Sequence, residues 1–215
     1  MARSQDYRSV LIPFRSYMEN WLVTDNGTCT NFGNIETEHP KRTYRMYRFL
    51  TEMEDILERE PDDAKRVQAI IPLVRKLLIS SYWLQMEYKE PSEKTGWAVN
   101  FLYREHEYPL TVQMVTWAPG TKSTIHNHAT WGIVAMVGGQ EKNTFWKQDD
   151  SNAKAISKVG EQVLYPGDII GFTGNAVHQV APLGEEPTVS FNLYGITDRS
   201  RRYKYDEQTL EASKF

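Results

Sequence analysis

Residues 119–138 read PGTKSTIHNHATWGIVAMVG, and they place His126 and His128 two positions apart, between a Pro-Gly turn and an apolar run. In a β-strand, residues i and i+2 project from the same face. Both imidazoles can therefore enter one barrel interior. Imidazole is the most common metal ligand among protein side chains, so the pair indicates a metal site.

A second Pro-Gly turn opens residues 166–180, PGDIIGFTGNAVHQV, which carry His178. A later strand that passes beside the first would add His178 to the pair. The result would be a three-histidine site with open positions for substrate and oxygen. We therefore predict that His126, His128 and His178 bind one metal ion.

The C-terminal half of the chain has the pattern of an all-β structure, with short β-type runs separated by Pro-Gly and Gly-Gly turns. The predicted strands are 98–103, 110–117, 132–138, 142–147, 161–165, 168–172, 177–181 and 188–194. About eight strands in about a hundred residues are typical of a β-sandwich or a barrel.

The N-terminal half has helical periodicity instead. Apolar residues recur at helical spacing over residues 10–22 and 43–57, and the polar stretch 24–42 between them predicts a loop. Asp62 is the expected N-cap of a third helix, in which Pro72 either causes a kink or begins a new helix. The predicted organisation is a helical layer over residues 1–90 packed on a β-barrel over residues 91–215.

Composition excludes several classes of protein. The 215 residues carry 25 Lys and Arg against 28 Asp and Glu, a net charge of -3, and no basic run of the kind that binds nucleic acid. A single cysteine, Cys29, cannot close an intramolecular disulfide and suits a reducing compartment. No signal peptide or membrane span is evident. We expect a cytoplasmic protein without nucleic-acid or membrane partners.

The spacing of these residues resembles the motifs of the cupin superfamily. The first cupin motif is a glycine, five residues, His-X-His, three or four residues, a glutamate and a later glycine; Gly120, His126, His128 and Gly138 match it. Residues 167–178 match the second motif, a Pro-X-Gly turn followed by a histidine, more loosely. The resemblance implies a mainly β fold, the cupin double-stranded β-helix or jelly-roll barrel.

The glutamate of the first motif is absent. Its expected positions are Gly132 and Ile133, and neither residue can ligate a metal. Loss of this carboxylate leaves a three-histidine site, which is similar to that of the cysteine dioxygenase-like and 3-mercaptopropionate dioxygenase-like thiol dioxygenases. The resemblance implies Fe(II) as the cofactor.

Residues 188–194 carry a further resemblance to this branch. Ser190, Asn192 and Tyr194 are similar to its Ser-X-His-X-Tyr pattern, in which the tyrosine hydroxyl points at the iron and the other two side chains steady it. Asn192 replaces the histidine; it can form hydrogen bonds between hydroxyls, but it carries no titratable proton. The resemblance implies catalytic roles for Tyr194, Ser190 and Asn192.

The same resemblance suggests the substrate-binding residues. Bacterial mercaptopropionate enzymes hold the substrate carboxylate with an arginine shortly after the tyrosine motif, where this chain has Arg199, Arg201 and Arg202. The sequence does not decide which of them points inward, and a solvated basic surface is the alternative. Trp131 is expected to form a wall of the pocket, although a tryptophan in a barrel also suits the core.

The resemblance thus implies a mononuclear non-heme Fe(II) thiol dioxygenase. It would oxidise a small thiol carboxylate, of the cysteine or 3-mercaptopropionate type, to its sulfinate with O2. Two alternatives stay open: another metal-dependent cupin enzyme, such as an isomerase, a hydrolase or a ring-cleaving dioxygenase, and a noncatalytic cupin that binds a small ligand. The expected partners are the thiol and O2, and assembly into a homo-oligomer is left open.

Overall fold

The computed structural model describes residues 18–33, 42–106, 108–149 and 155–215. These parts of the chain form two β-sheets, two α-helices and a short 3₁₀ helix. The helices are α1 (Met46–Arg59) and α2 (Asp63–Ser80), followed by the 3₁₀ helix Tyr82–Met86. The strands are β1 (Asn20–Val23), β2 (Cys29–Asn31), β3 (Trp97–Arg104), β4 (Thr111–Trp117), β5 (Ile125–Asn127), β6 (Gly132–Gly138), β7 (Gln140–Gln148), β8 (Ile156–Leu164), β9 (Ile169–Phe172), β10 (Val177–Leu183), β11 (Thr188–Tyr194), β12 (Tyr203–Tyr205) and β13 (Ala212–Lys214).

The two sheets follow a jelly-roll order. The seven-stranded sheet runs β2-β1-β9-β6-β11-β4-β3, and the six-stranded sheet runs β13-β12-β5-β10-β7-β8. Strand β1 pairs with β9 in parallel, whereas β11 pairs with β4 and β6 in antiparallel fashion. The predicted fold class, a mainly β double-stranded β-helix with an N-terminal helical layer, is confirmed.

The helices cover the outer face of the seven-stranded sheet. Phe49 and Met53 of α1 and Val67 of α2 are fully buried in a core shared with residues of β4, β6 and β11. Val67 packs directly on Gly171 of β9, where an added Cβ would lie 2.0 Å from Val67 Cγ1. Only glycine allows the helix to approach the sheet this closely.

The inner face of this sheet turns toward the six-stranded sheet. Strand β11 shows the alternation that period-2 geometry imposes. Phe191 and Leu193 belong to the core under the helices, whereas Ser190, Asn192 and Tyr194 line a cavity between the sheets. The sheet therefore presents an apolar face to the helices and a polar row to the barrel interior.

The helix predicted over residues 10–22 is wrong at its C-terminal end, and residues 10–17 lie outside the described part of the chain. Residues 20–23 form β1, which pairs in parallel with β9. Leu22 packs under the helices, while Trp21 and Val23 contact the core between the sheets. Because both faces of β1 are covered, its apolar residues form a short continuous run, which periodicity cannot distinguish from a helix.

The other N-terminal predictions have mixed outcomes. The helix over 43–57 corresponds to α1, and Asp62 caps α2 by accepting a hydrogen bond from the Lys65 backbone N–H at 2.9 Å. Pro72 lies inside α2, which continues to Ser80. The predicted loop 24–42 is interrupted by β2, whose mostly exposed polar residues resemble loop sequence, and residues 34–41 lie outside the described part of the chain.

All eight strands predicted between residues 98 and 194 are present: 132–138 and 188–194 match at both ends, and the other six have shifted ends. The three-residue strands β5, β12 and β13 are not among the eight predicted runs, because segments this short carry little periodic signal. The division of the chain into two parts at residue 90 stays a prediction. Strands β1 and β2 precede the helices in sequence, and they nevertheless belong to the seven-stranded sheet. Over the described ranges, no helix combines the length and apolar character that crossing a membrane requires.

Candidate metal centre

Two neighbouring strands of the six-stranded sheet bring the three histidines together. His126 lies on β5 and pairs directly with His178 on β10, in antiparallel register. His128 follows β5, and Ala129 then turns the chain with a positive φ of 52°, a strained conformation for a residue with a Cβ. The candidate ligand nitrogens of His126, His128 and His178 all lie within 4.8 Å of one another. The predicted cluster therefore forms, and its occupation by a metal stays a prediction.

The hydrogen bonds of two histidines leave their Nε2 lone pairs free for a metal. His126 Nδ1 lies 2.8 Å from the Thr124 carbonyl oxygen, and His178 Nδ1 lies 3.1 Å from Asn143 Oδ1. Because both oxygens are acceptors, both Nδ1 atoms carry the proton. This arrangement is the usual outer support of metal-bound imidazoles.

The separation of the ring nitrogens also fits a shared cation. His128 Nε2 and His178 Nε2 lie 3.0 Å apart. Two nitrogens bound to one metal at about 2.1 Å and at right angles would lie about 3.0 Å apart. The spacing of this pair of nitrogens therefore fits a shared metal ion.

The electrostatics of the cluster favour uncharged rings. Burial lowers the pKa of His126 to about 4. Burial, followed by the charges of neighbouring histidines, also lowers the pKa of His128 and His178. At neutral pH all three imidazoles are therefore neutral, the form that binds a metal.

No carboxylate from the described part of the chain takes part in the cluster, and the structure shows why at the two positions of the missing motif glutamate. At Gly132, an added Cβ would lie 2.9 Å from the ring of Tyr194, which fills the space beside the histidines. Ile133 is fully buried on the opposite face, in the core under the helices. Neither position can deliver a ligand to the cluster.

A polar row on β11 runs beside the cluster. Tyr194 stacks on His128 with ring centroids 4.5 Å apart. Its hydroxyl donates to Asn192 Oδ1 at 2.9 Å, and Asn192 Nδ2 donates to Ser190 Oγ at 2.8 Å. Burial raises the pKa of Tyr194, so the phenol holds its proton. The three residues predicted as catalytic thus form one connected chain.

The three candidate arginines lie in different surroundings. Arg202 is half-buried, lines the histidine cavity of about 560 Å³, and stacks over the Phe215 ring with 4.2 Å to the centroid. Arg201 is paired with Asp198 at 2.7 Å, with its side chain more than half exposed. Arg199 lines a neighbouring cavity. Only Arg202 of the three lines the cavity of the histidines.

Arg202 has no hydrogen-bonding partner for its buried Nε within the described ranges. Burial lowers the pKa of Arg202, and the Tyr194 hydroxyl partly offsets this effect. A buried N–H donor without an acceptor is costly, and an anion bound to the guanidinium would satisfy it.

Trp131 is not among the residues that line the histidine cavity. It is buried in the core under the helices, and it contributes to a separate cavity together with Asp63 and Arg201. The Trp131 side chain packs against the backbone at Gly195, where an added Cβ would lie 2.5 Å from Trp131 Nε1. The structure therefore places Trp131 in the core, the other option considered for it.

Sequence reasoning missed three polar residues around the cavity. Glu141 and Asn143 lie two positions apart on β7, both buried, and Thr188 begins β11. Asn143 Nδ2 donates to Glu141 Oε1 at 3.1 Å, and Thr188 Oγ1 donates to Glu141 Oε2 at 3.3 Å. The i, i+2 spacing of Glu141 and Asn143 is the signal that could have placed them on one inward face.

The comparisons with known proteins concern the fold. No protein-family model matches the chain. An uncharacterised protein with a double-stranded β-helix domain from Klebsiella pneumoniae is 17% identical, with a TM-score of 0.41, over 53% of this chain and 83% of that one. A cupin domain of an XRE family transcriptional regulator from Enterobacter cloacae is 19% identical, with a TM-score of 0.35, over 47% and 97%.

A third similar structure is an oxalate oxidase in complex with the substrate analogue glycolate. It is 16% identical, with a TM-score of 0.40, over 51% of this chain and 55% of that one. The match thus spans about half of the oxalate oxidase chain. Similarities of this size do not extend to function.

The buried carboxyl of Glu141 generates a prediction about pH and stability. Burial raises the pKa of Glu141 from 4.5 to about 7. The folded state therefore holds a proton that the unfolded state has lost between these values, and stability falls as pH rises through this window. Glu141→Gln removes the effect, so the metal-free variant should be more stable than the wild type above pH 7, by about 3 kcal/mol.

Urea unfolding of both proteins between pH 4 and pH 8 measures this difference. The two free energies of unfolding should converge toward pH 4, where the wild-type carboxyl is protonated in both states. A difference that stays constant over the whole range would show that the buried carboxyl does not titrate as described.

Proposed function

We propose that the protein is a mononuclear non-heme Fe(II) thiol dioxygenase that oxidises a small thiol carboxylate to its sulfinate with O2. One observation carries the proposal. Among the described residues, a three-histidine cluster without a carboxylate ligand shares a cavity with a tyrosine hydroxyl and with an arginine that has no anionic partner. Ligands for a metal, a proton donor and a carboxylate clamp are the groups that this reaction needs.

The overall reaction balances without a further reductant. Both atoms of O2 are transferred to the sulfur of the thiol, which is oxidised by four electrons, while O2 is reduced by four electrons. The thiol hydrogen is retained as the acidic proton of the sulfinic acid. Bound Fe(II) would supply the redox chemistry that joins O2 to the thiol.

His126, His128 and His178 would hold the metal through neutral imidazoles. Neutral ligands leave the full charge of a divalent cation in the cavity. An anionic thiolate is therefore favoured there, and the pKa of a bound thiol is lowered.

Tyr194 would hold a proton at its hydroxyl beside the reacting sulfur. The hydroxyl is directed by Asn192, which is itself held by Ser190. Since Asn192 has no titratable proton, it orients the hydroxyl without accepting its proton. The hydroxyl hydrogen is therefore available to turn from Asn192 toward an oxygen atom of a bound reactant.

Arg202 would bind the substrate carboxylate. Its guanidinium is near enough to the histidines to lower the pKa of His126 and His128 by its charge. A bidentate arginine–carboxylate pair at this place would fix the substrate with its sulfur directed at the histidines.

The activity itself is tested with iron-loaded protein, by measuring O2 uptake together with sulfinate formation. We expect one O2 consumed per sulfinate formed, with 3-mercaptopropionate oxidised faster than cysteine, and cysteamine, which lacks the carboxylate, a poor substrate. The control is His128→Ala, which should neither retain iron nor consume O2. An iron-bound wild type that forms no sulfinate from any thiol would favour another metal-dependent cupin enzyme. A wild type that binds no metal would favour a ligand-binding protein.

The role of Arg202 is tested against its neighbour. Arg202→Gln should raise KM for 3-mercaptopropionate by at least about tenfold, because removing one side of a half-buried charge pair costs about 2 kcal/mol, the lower end of the range for buried pairs. Arg201→Gln is the matched control: it changes the adjacent arginine, which is bound to Asp198, and should leave KM within about twofold. Equal increases in KM for the two variants would show that these arginines act only through the general positive charge of the surface. Arg202 would then not be the residue that binds the substrate carboxylate.

A further inference from the structure

Glu141 is a buried acidic residue for which the proposed reaction has no use. It lies on β7, is only 2% exposed, and lines the same cavity as the three histidines. It is the one carboxylate side chain among the described residues of that cavity, where the cationic side chains are Lys122 and Arg202. Lys122 pairs with Glu207, and among the described residues no lysine or arginine side chain forms an ion pair with Glu141.

The hydrogen bonds of Glu141 lead directly to a histidine of the cluster. Asn143 Nδ2 donates to Glu141 Oε1 at 3.1 Å, so the amide is oriented with Oδ1 on its other side. That oxygen accepts from His178 Nδ1 at 3.1 Å. Glu141, Asn143 and His178 therefore form a hydrogen-bonded chain. The Glu141 carboxyl fixes the orientation of the Asn143 amide, and the amide oxygen accepts from His178 Nδ1.

A cation bound in the cavity would supply the positive charge that stabilises an ionised Glu141 carboxylate. Three neutral imidazoles bring no negative charge to a divalent ion, and a carboxylate nearby in a medium of low dielectric constant stabilises it without direct contact. Burial raises the pKa of Glu141 to about 7. A bound cation would favour the ionised carboxyl, which would in turn polarise Asn143 and increase the basicity of His178.

We propose that Glu141 is the outer carboxylate of the metal centre: through Asn143 it positions His178, and its negative charge offsets that of the bound cation. The inference rests on the metal site of the proposed function, but it requires neither a thiol substrate nor O2. Glu141 is a positioning residue in this account, because it acts on the metal through two other side chains.

The test measures metal affinity alone, by anaerobic titration of the metal-free protein with Fe(II) or Co(II) against a competing chelator. Glu141→Gln keeps an oxygen that accepts from Asn143 and removes the charge; we expect the dissociation constant to rise about 10- to 100-fold. Thr188→Val is the matched control, since it removes a hydrogen bond to Glu141 and keeps the charge. It should change affinity by less than about threefold.

A double variant distinguishes the effect of the carboxylate charge from an effect of side-chain shape. Adding Asn143→Asp to Glu141→Gln places a carboxylate directly at His178 Nδ1, so the double variant should recover most of the lost affinity. Circular dichroism of each variant establishes that it is folded. Wild-type affinity in Glu141→Gln, an equal loss in Thr188→Val, or no recovery in the double variant would each overturn the proposal.

The outcomes separate this inference from the proposed function. The expected series of metal affinities together with no sulfinate formation would contradict the thiol dioxygenase and support the outer carboxylate. Sulfinate formation together with unchanged affinity in Glu141→Gln would contradict the outer carboxylate and leave the thiol dioxygenase in place.

Discussion

The antiparallel pairing of β10 with β5 is the constraint on which the candidate site depends. It places His178 directly opposite His126, while the two-residue period of the chain carries His128 to the same side. A shift of one residue in this register would turn His178 to the other face of the sheet. The register is supported on the other edge of β10, which pairs with β7 along seven residues, from Val177 to Leu183. Strand β7 in turn carries Glu141 and Asn143, so the same pairing that positions the ligands also positions their support.

The charges around the cavity are arranged in a consistent way. The histidines are neutral, Arg202 and Lys122 are the cationic side chains that line the cavity, and Glu141 is buried on β7. A divalent ion held by the histidines would attract an anionic ligand, which Arg202 would help to bind, and the charge of Glu141 would partly offset that of the ion. In the proposed function, these charges would select an anionic substrate and orient it, with its carboxylate toward the arginine and its sulfur toward the histidines.

Much of the site could be predicted from the sequence because it is encoded locally. His126 and His128 are two residues apart, and Ser190, Asn192 and Tyr194 follow the same period on one strand. The assumption that each set lies in extended, strand-like backbone is therefore enough to place its side chains on one face. Trp131 and the arginines could not be resolved in this way. Arg201 and Arg202 are adjacent, and only tertiary contacts, with Asp198 for one and with Phe215 for the other, separate them. Strand β1 resembles the end of a helix in sequence because its two faces are both buried. Glu141 is harder to find from the sequence because one of its two partners, Thr188, lies on the distant strand β11.

The central claim is that three histidines, without a carboxylate, form the ligand set of a mononuclear metal centre. The most direct measurement is a crystal structure of the Fe(II)-loaded protein, prepared without thiol under anaerobic conditions. The account predicts one metal ion bound to nitrogen atoms of His126, His128 and His178 as its only protein ligands, with Glu141 still hydrogen-bonded to Asn143. A metal bound through an oxygen of Glu141, or held by fewer than three of these histidines, would contradict it.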